Sequence, residues 1–182
     1  MSARLFAALE LPAEVRAGLA AFGREAAAND RALRPSREDA LHLTLAFLGH
    51  RALDEVDPAR EAVHGVAGSP APVLTLADPL WLAPRRPHVL TVGLEEADGM
   101  LAALQAALVE RLADALPWQP ETRPFRAHIT VARVRRGWRP RVDELPDPPQ
   151  ATFTAGAVVL FRSHLGGRGP ARYEALERAE LG

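Results

Sequence analysis

Two short segments with the same polar pattern constrain this chain more than any other feature of its sequence. Residues 42–45 read His-Leu-Thr-Leu, and residues 128–131, in the last third of the chain, read His-Ile-Thr-Val. Both lie in runs of strand-forming residues. Successive side chains of a strand point to opposite faces, so each segment places His and Thr on one face and apolar residues on the other. The pair therefore predicts two strands that line one polar cleft above a buried core.

The two histidines suit acid–base chemistry. Histidine has an ordinary pKa near neutral pH, so one imidazole can accept a proton while the other donates one. Thr44 and Thr130 would lie about 6–7 Å along their strands from His42 and His128. That spacing leaves room for a tetrahedral anion and favours displacement at phosphorus. A single copy of the pattern would more often be a packed core histidine.

Several other chemistries lack the residues they need. The chain has no Cys, which excludes disulfides, thiolate nucleophiles and Cys-ligated zinc. All 22 basic residues are Arg, so no lysine Schiff base is available and a phosphate would be bound by guanidinium groups. Asp39 is near His42, but no acidic residue shares the face of His128, which disfavours a metal site. There is no Gly-x-Ser-x-Gly elbow, and Gly-Gly-Arg-Gly at 166–169 matches no nucleotide fingerprint. We therefore expect neither metal nor cofactor.

Length and composition predict one domain over residues 1–182. The chain has 48% hydrophobic residues and a net charge of -1, which is ordinary for a globular protein. It has no apolar run long enough for a transmembrane helix, and its N-terminus lacks the apolar region of a signal peptide. Together with the absence of Cys, this leads us to expect a cytoplasmic protein. No coiled-coil stripe or apolar patch indicates assembly, so we expect a monomer.

The remaining pattern predicts strands mixed with a few helices. Strands are predicted at 4–11, 41–48 (ended by Gly49), 73–77, 80–83, 88–94, 126–134 and 152–162. Helices are predicted at 12–28, 53–66 and 99–116, the last with Asp98 as N-cap. Residues 33–37 are predicted as a short strand or loop that carries Arg34 and Arg37 towards the first His-Thr strand. Residues 135–149 read as an exposed connection, 166–170 as a tight loop, and 171–179 as a returning strand or a helix.

The order of these elements repeats. Strand 4–10, helix 12–28 and His-Thr strand 41–48 have a counterpart in strand 88–94, helix 99–116 and His-Thr strand 126–134. We therefore predict an α+β fold. It would have two pseudo-symmetric lobes of mostly antiparallel sheet with outer helices, and a central cleft lined by the two His-Thr strands.

These motifs resemble those of the two-histidine (2H) phosphoesterase superfamily, in particular its bacterial and archaeal RNA 2′,3′-cyclic phosphodiesterase branch, historically called 2′-5′ RNA ligase. The resemblance covers nearly the whole chain. It rests on the opening strand 4–9 with Pro12, on the two motifs at 42–49 and 125–133, and on a closing pattern of residues 163–165, 169–170 and Tyr173. Ala127 is a departure, since the family usually has Pro before the second His; this removes no catalytic group.

The resemblance implies hydrolysis of a terminal 2′,3′-cyclic phosphate on RNA or a nucleotide to a 2′-phosphomonoester, without metal. Within this mechanism we assign His128 as the general base and His42 as the general acid, and which His gives the proton and which takes it stays open. Thr44 and Thr130 would hydrogen-bond the non-bridging oxygens. Three alternatives stay open: 2′-5′ RNA ligation, hydrolysis of small cyclic nucleotides, and an RNA-binding or nucleotide-binding module without turnover.

Some further side chains are candidates for substrate contact. Arg126 shares the face of His128, whereas Arg133 faces away under strict alternation and needs a bulge or a strand end to reach phosphate. A basic run follows that is either a solvated loop or a guide for the RNA backbone, namely Arg123, Arg135, Arg136, Arg139 and Arg141. The aromatic residues that could stack a base, or be core, are Phe6, Phe47, Trp81, Phe125 and Trp138. Ser163 and Tyr173 are expected to stabilise the fold.

Overall fold

Both His-Thr segments lie in the middle of one antiparallel sheet. The structure, a computed structural model, describes residues 1–83, 85–141, 143–164 and 172–182. Within these ranges the strands are β1 Ser2–Leu9, β2 Leu33–Pro35, β3 Leu43–Ala52, β4 Val73–Leu82, β5 Val89–Glu96, β6 His128–Val134, β7 Thr152–Thr154, β8 Ala157–His164 and β9 Arg172–Glu180. The helices in the same ranges are α1 Ala13–Asn29, α2 Val56–His64 and α3 Met100–Ala115.

The strand order divides the sheet into two halves that lie side by side, β7-β4-β5-β6 and β3-β1-β8-β9. The order is β7-β4-β5-β6-β3-β1-β8-β9, with β2 paired to β6, and the strand pairs are antiparallel. The halves meet where β3 pairs with β6, at Leu43 opposite Ile129. This architecture confirms the predicted α+β fold. It also makes the two His-Thr strands neighbours, because each one forms the inner edge of its half.

The helices cover the apolar side of these central strands. Helix α1 contacts β6 and helix α3 contacts β3, so each helix packs on the His-Thr strand of the other half. The predicted stripe of α3 is buried, namely Leu101, Leu104, Leu108 and Leu112. Leu43 and Ile129 are both fully buried in the same core. In the described part of the chain, no helix is long and apolar enough to cross a membrane.

The N-terminus of α3 is held by two carboxylates. Asp98 was predicted as its N-cap, but Gly99, with a left-handed φ of 74°, occupies that position. Asp98 Oδ1 accepts a hydrogen bond from the first helical amide, at 3.1 Å. The Glu96 carboxylate accepts from the amides of Leu101 and Ala102, at 2.6 and 3.1 Å. Both acids satisfy amides that lack an intrahelical partner, and both complement the positive end of the helix dipole.

Some predicted strand boundaries are wrong. Strand β3 does not end at Gly49 but continues to Ala52. Gly49 has a φ of +72° and lies where the register between β1 and β3 shifts, so it supplies the backbone conformation of a bulge. Segments 73–77 and 80–83 join into β4 through an irregularity at residues 77–78. Segment 152–162 is divided into β7 and β8.

Two further predictions concern the C-terminal hairpin. Strand β9 pairs with β8, which confirms the predicted strand over its described residues 172–179 and excludes a helix over Arg172–Glu180. The predicted tight loop at 166–170 lies outside the described residues. Residues 33–37 do form a short strand at Leu33–Pro35, but it pairs with the second His-Thr strand and not the first.

Candidate active site

The two His-Thr segments open into one cleft. His42 directly precedes the first residue of β3, and His128 is the first residue of β6. Both imidazoles and the hydroxyls of Thr44 and Thr130 line a cleft of about 690 Å³. The structure therefore brings together the four residues that the sequence pattern singled out. Their catalytic roles remain predictions.

The two imidazoles are oriented by the same local contact. Nδ1 of His42 lies 2.9 Å from the carbonyl oxygen of Ala40, and Nδ1 of His128 lies 2.7 Å from the carbonyl oxygen of Arg126. A carbonyl oxygen can only accept, so Nδ1 carries the proton in each ring and donates it. Nε2 of each neutral ring is then the nitrogen with a free lone pair, available for proton exchange.

Aromatic rings enclose His42. Its ring lies 4.7 Å from the ring of Phe6, centroid to centroid, and 5.3 Å from the edge-on ring of Tyr173. Phe161 closes the group at 6.2 Å. These residues come from β1, β8 and β9, the three strands that follow β3 in the order of the sheet. Tyr173 was expected only to stabilise the fold, yet it lines the cleft.

This environment changes the acidity of His42. Burial lowers the pKa of His42 from 6.5 to about 4, since the charged form loses its hydration. The hydrogen bond to Ala40 acts in the opposite direction and raises this pKa, while the positive charges of Arg133 and His128 lower it further. In the free protein at neutral pH, His42 is therefore uncharged.

A β-bulge turns Arg133 into the cleft. Between β5 and β6, Leu90 pairs with Ala132 and Thr91 pairs with Thr130, so Val131 is an extra residue in β6. The extra residue resets the alternation of faces. Arg133 consequently lines the cleft together with Thr130. Under strict alternation this placement requires a bulge or a strand end, and the structure contains the bulge.

Neighbouring backbone holds the bulge in place. The carbonyl oxygen of Val131 accepts a hydrogen bond from the amide of Ser36 at 2.8 Å. The Ser36 hydroxyl donates to the carbonyl oxygen of Thr130, also at 2.8 Å. On the helix side, a Cβ on Gly23 of α1 would lie 2.6 Å from the Val131 carbonyl oxygen, so only glycine allows this approach. The segment after β2 and the helix α1 together fix the position of the bulge.

The cleft is strongly basic. Five arginines line it, namely Arg34, Arg37, Arg133, Arg135 and Arg136, and among the residues that the structure describes no Asp or Glu does. In the register of β2 and β6, Arg34 lies directly opposite Arg133. Such a surface suits an anion with several negatively charged oxygens.

Other predicted contacts lie elsewhere. The side chain of Arg126 is exposed and does not line the cleft; only its carbonyl oxygen takes part, through His128. Phe47 is half exposed and its ring faces the guanidinium of Arg4 at 4.8 Å. Ser163 is buried and accepts a hydrogen bond from Arg4 at 3.3 Å, in line with a structural role. Within the described ranges, His, Asp and Glu side chains form no group of three that could hold a metal ion.

The chain is similar in sequence to proteins named RNA 2′,3′-cyclic phosphodiesterase. A sequence model of the 2′-5′ RNA ligase superfamily matches residues 10–167. The chain is 33% identical, over 98% of its length, to the RNA 2′,3′-cyclic phosphodiesterase of Escherichia coli K12, of which it covers 96%. It is also 33% identical over 98% of its length to the protein of the same name from Thermus thermophilus, of which it covers 90%.

Solved structures show the same fold. The crystal structure of E. coli LigT complexed with 3′-AMP matches 100% of this chain and 99% of its own, with 28% identity and a TM-score of 0.80. A crystal structure of a T. thermophilus protein matches 98% of this chain and 97% of its own, with 32% identity and a TM-score of 0.81.

Proposed function

Because the chain belongs to the 2′-5′ RNA ligase superfamily, we propose that it is an RNA 2′,3′-cyclic phosphodiesterase. It hydrolyses the terminal 2′,3′-cyclic phosphate of RNA to a 2′-phosphomonoester. The names of its relatives support the reaction. The observation that carries the mechanism is that His42 and His128, each fixed by an Nδ1–H···O=C contact, open with Thr44 and Thr130 onto one cleft.

The proposed reaction is one in-line displacement. Nε2 of His128 takes a proton from water, and the water oxygen forms a bond to phosphorus. The bond between phosphorus and the ribose 3′-oxygen breaks, and Nε2–H of His42 gives its proton to that oxygen. The product is a 2′-phosphate beside a free 3′-hydroxyl. Thr44, Thr130 and Arg133 hydrogen-bond the non-bridging oxygens, where negative charge develops.

Substrate binding allows His42 to take up from solvent the proton that it must donate. Free His42 is uncharged at neutral pH because its pKa lies at about 4. A phosphate monoanion about 4 Å from the imidazolium would contribute roughly 4 kcal/mol at an effective dielectric constant of about 20. The cyclic phosphate therefore raises the pKa of His42, which favours the charged acid when substrate is bound.

The reaction needs no metal in this proposal. Arg133 and protonated His42 supply the positive charge that a metal ion supplies elsewhere. The companion expectations also remain proposals: a single domain over residues 1–182, a monomer, and a cytoplasmic location. A mass measurement by light scattering after gel filtration tests the second of these.

The central experiment uses an RNA with a 2′,3′-cyclic phosphate end in the presence of EDTA. Wild type should hydrolyse it, and His42→Ala and His128→Ala should each lose about 10²–10⁴-fold in kcat. His88→Ala is the matched control. His88 has the same Nδ1 contact to the carbonyl oxygen two residues earlier, at 3.1 Å, but does not line the cleft. It should keep full activity.

Three outcomes would redirect the proposal. Turnover that survives both substitutions would exclude the histidine pair as acid and base. Loss of wild-type turnover in EDTA would indicate a metal enzyme. Tight binding of the RNA without any product would indicate a binding module.

A further inference from the structure

Two arginines lie opposite each other at the cleft without counter-charges. Arg34 of β2 and Arg133 of β6 are cross-strand partners, and both side chains are exposed and line the cleft. Like charges placed directly opposite each other destabilise a strand pair. In the part of the chain that the structure describes, neither arginine has an acidic partner. An anion between or beside them would relieve this repulsion.

Arg136 extends the same charged surface. Two of the five cleft arginines have partners, since Arg37 pairs with Asp39 and Nε of Arg135 donates to the carbonyl oxygen of Arg31. Arg136 resembles Arg34 and Arg133 in having no ion pair within the described residues. Unpaired guanidinium groups in a cleft retain all their donors for a ligand.

The three unpaired arginines approach the cleft from different segments. Arg133 lies in the same strand as His128 and Thr130, and its charge lowers the pKa of His42. Arg34 lines the cleft from β2, and Arg136 lines it from the segment that follows β6. Their guanidinium groups can bind an anion other than the one that His42 contacts. The cleft, at about 690 Å³, has ample room for a nucleotide with two phosphates.

We propose that Arg34 and Arg136 form a second anion site, an inference that rests on the proposed function. This site binds the phosphate on the 5′ oxygen of the terminal nucleoside. In RNA this group is the internucleotide phosphodiester that leads to the cyclic end. In a free nucleotide it is a terminal 5′-phosphate. The site makes the protein prefer RNA ends, or 5′-phosphorylated cyclic nucleotides, over a bare nucleoside 2′,3′-cyclic phosphate.

A binding measurement tests the site without turnover. Titration calorimetry in EDTA compares adenosine 3′-phosphate with adenosine 3′,5′-bisphosphate. Wild type should bind the bisphosphate about tenfold more tightly. Arg34→Gln and Arg136→Gln should each reduce this preference to about twofold while leaving the affinity for adenosine 3′-phosphate nearly unchanged.

Arg139→Gln is the matched control for these variants. It removes the same charge, from the exposed connection that also contains Arg136, but Arg139 does not line the cleft. It should keep the full tenfold preference. An equal loss of preference in Arg139→Gln would show that the preference for the bisphosphate comes from general electrostatics. That result would overturn the proposed site. Equal affinity of wild type for the two ligands would overturn it as well.

A kinetic comparison separates the two sources of the second phosphate. The substrates are adenosine 2′,3′-cyclic phosphate, its 5′-phosphorylated form, and the dinucleotide ApA with a cyclic end. A higher kcat/KM for both larger substrates, lost in Arg34→Gln, supports recognition of the phosphate from either source. A gain for the 5′-phosphorylated form alone supports a terminal phosphate as the ligand. A gain for the dinucleotide alone would overturn the anion site, because the neighbouring nucleoside would then be what is recognised.

The failure of this site and the failure of the proposed function look different. Absence of turnover with every substrate, together with a preserved bisphosphate preference that depends on Arg34, would refute the phosphodiesterase and leave the anion site standing. Turnover of all three substrates at equal kcat/KM would refute the anion site and leave the phosphodiesterase standing.

Discussion

The imidazole of His42 lies against the ring of Phe6, with 4.7 Å between centroids and 31° between planes. Phe6 belongs to β1, so the environment of His42 is set by the neighbouring strand. His128 has the same motif and the same Nδ1 contact, but the described residues place no aromatic ring against it. Two histidines with one sequence pattern therefore occupy different surroundings, which can divide the roles of acid and base between them.

This difference predicts how His42 titrates. In the free protein the ring resonances of His42 should shift with a midpoint near pH 4. Arg133→Gln should move the midpoint upwards, because the charge of Arg133 lowers this pKa. Saturation with adenosine 3′-phosphate should move it up further. Histidine NMR measures each midpoint, and Arg139→Gln, outside the cleft, should leave it unchanged. A midpoint near 6.5 in free wild type would refute the proposed coupling between protonation and phosphate binding.

The free energy of unfolding should decrease as the pH is lowered, because of the same group. Above pH 6.5, His42 is neutral in both the folded and the unfolded chain. Between pH 6.5 and 4 the unfolded chain binds a proton on His42 and the folded chain does not, so the free energy of unfolding decreases as pH falls. The contribution is at most about 3 kcal/mol. Urea unfolding at pH 7 and pH 4.5 measures it. His42→Gln should remove this component, whereas His88→Gln, at an exposed site, should retain it.

The roles of acid and base can be separated by the leaving group. A 4-nitrophenyl phosphodiester releases a stable anion, so its departure needs no proton. His42→Ala should therefore lose much less kcat/KM on this substrate than on the cyclic phosphate. His128→Ala should lose about the same on both, since water must still be activated. The opposite pattern, with His128→Ala rescued, would assign the general acid to His128.

The contact between α1 and the bulge predicts a large effect of one methyl group. Gly23→Ala would place a Cβ 2.6 Å from the Val131 carbonyl oxygen, which is backbone and must move. We expect a loss of about 1–3 kcal/mol in the free energy of unfolding, together with lower phosphate affinity because Arg133 shifts. Gly18→Ala, in the same helix, would meet Pro149 Cβ at an ordinary 3.5 Å. It should be neutral or stabilising by up to about 1 kcal/mol, and urea unfolding of both variants compares them.

The cap of α3 predicts a smaller effect. Glu96→Gln removes the negative charge of the carboxylate that accepts hydrogen bonds from the amides of Leu101 and Ala102. We expect about 1 kcal/mol of destabilisation, because charge-assisted hydrogen bonds become neutral ones. Glu95→Gln changes the same charge on an exposed neighbour and should cost almost nothing. Thermal unfolding of the two variants measures the difference, and equal midpoints would show that Glu96 does not act as a cap.

The sequence predicted those features that depend on local patterns. Period-two alternation placed His42 with Thr44 and His128 with Thr130, and the apolar stripe of α3 identified its buried face. These features follow from the geometry of one strand or one helix. The prediction that β3 ends at Gly49 was wrong for a physical reason. A glycine can end a strand or occupy a bulge, and only the partner strand decides between them.

Features that depend on pairing between distant strands could not be predicted from the sequence. The phenyl ring of Phe6 against His42 and the opposition of Arg34 and Arg133 both arise from register, which no local pattern specifies. Tyr173 belonged to the recognised closing pattern, but its place in the cleft follows from the pairing of β9 with β8. For Arg133, the sequence analysis identified the condition, a bulge, without its location.

The bulge at Val131 also has an evolutionary consequence. Its extra residue lies between the pair His128 and Thr130 and the guanidinium of Arg133. Deletion of that one residue would turn the arginine to the other face of the sheet while the histidine and threonine kept their positions. Gain or loss of a single codon can therefore change the charge that faces a ligand without any substitution among the reacting groups. The affinity for the ligand can then change in evolution while the chemistry of the reaction is inherited unchanged.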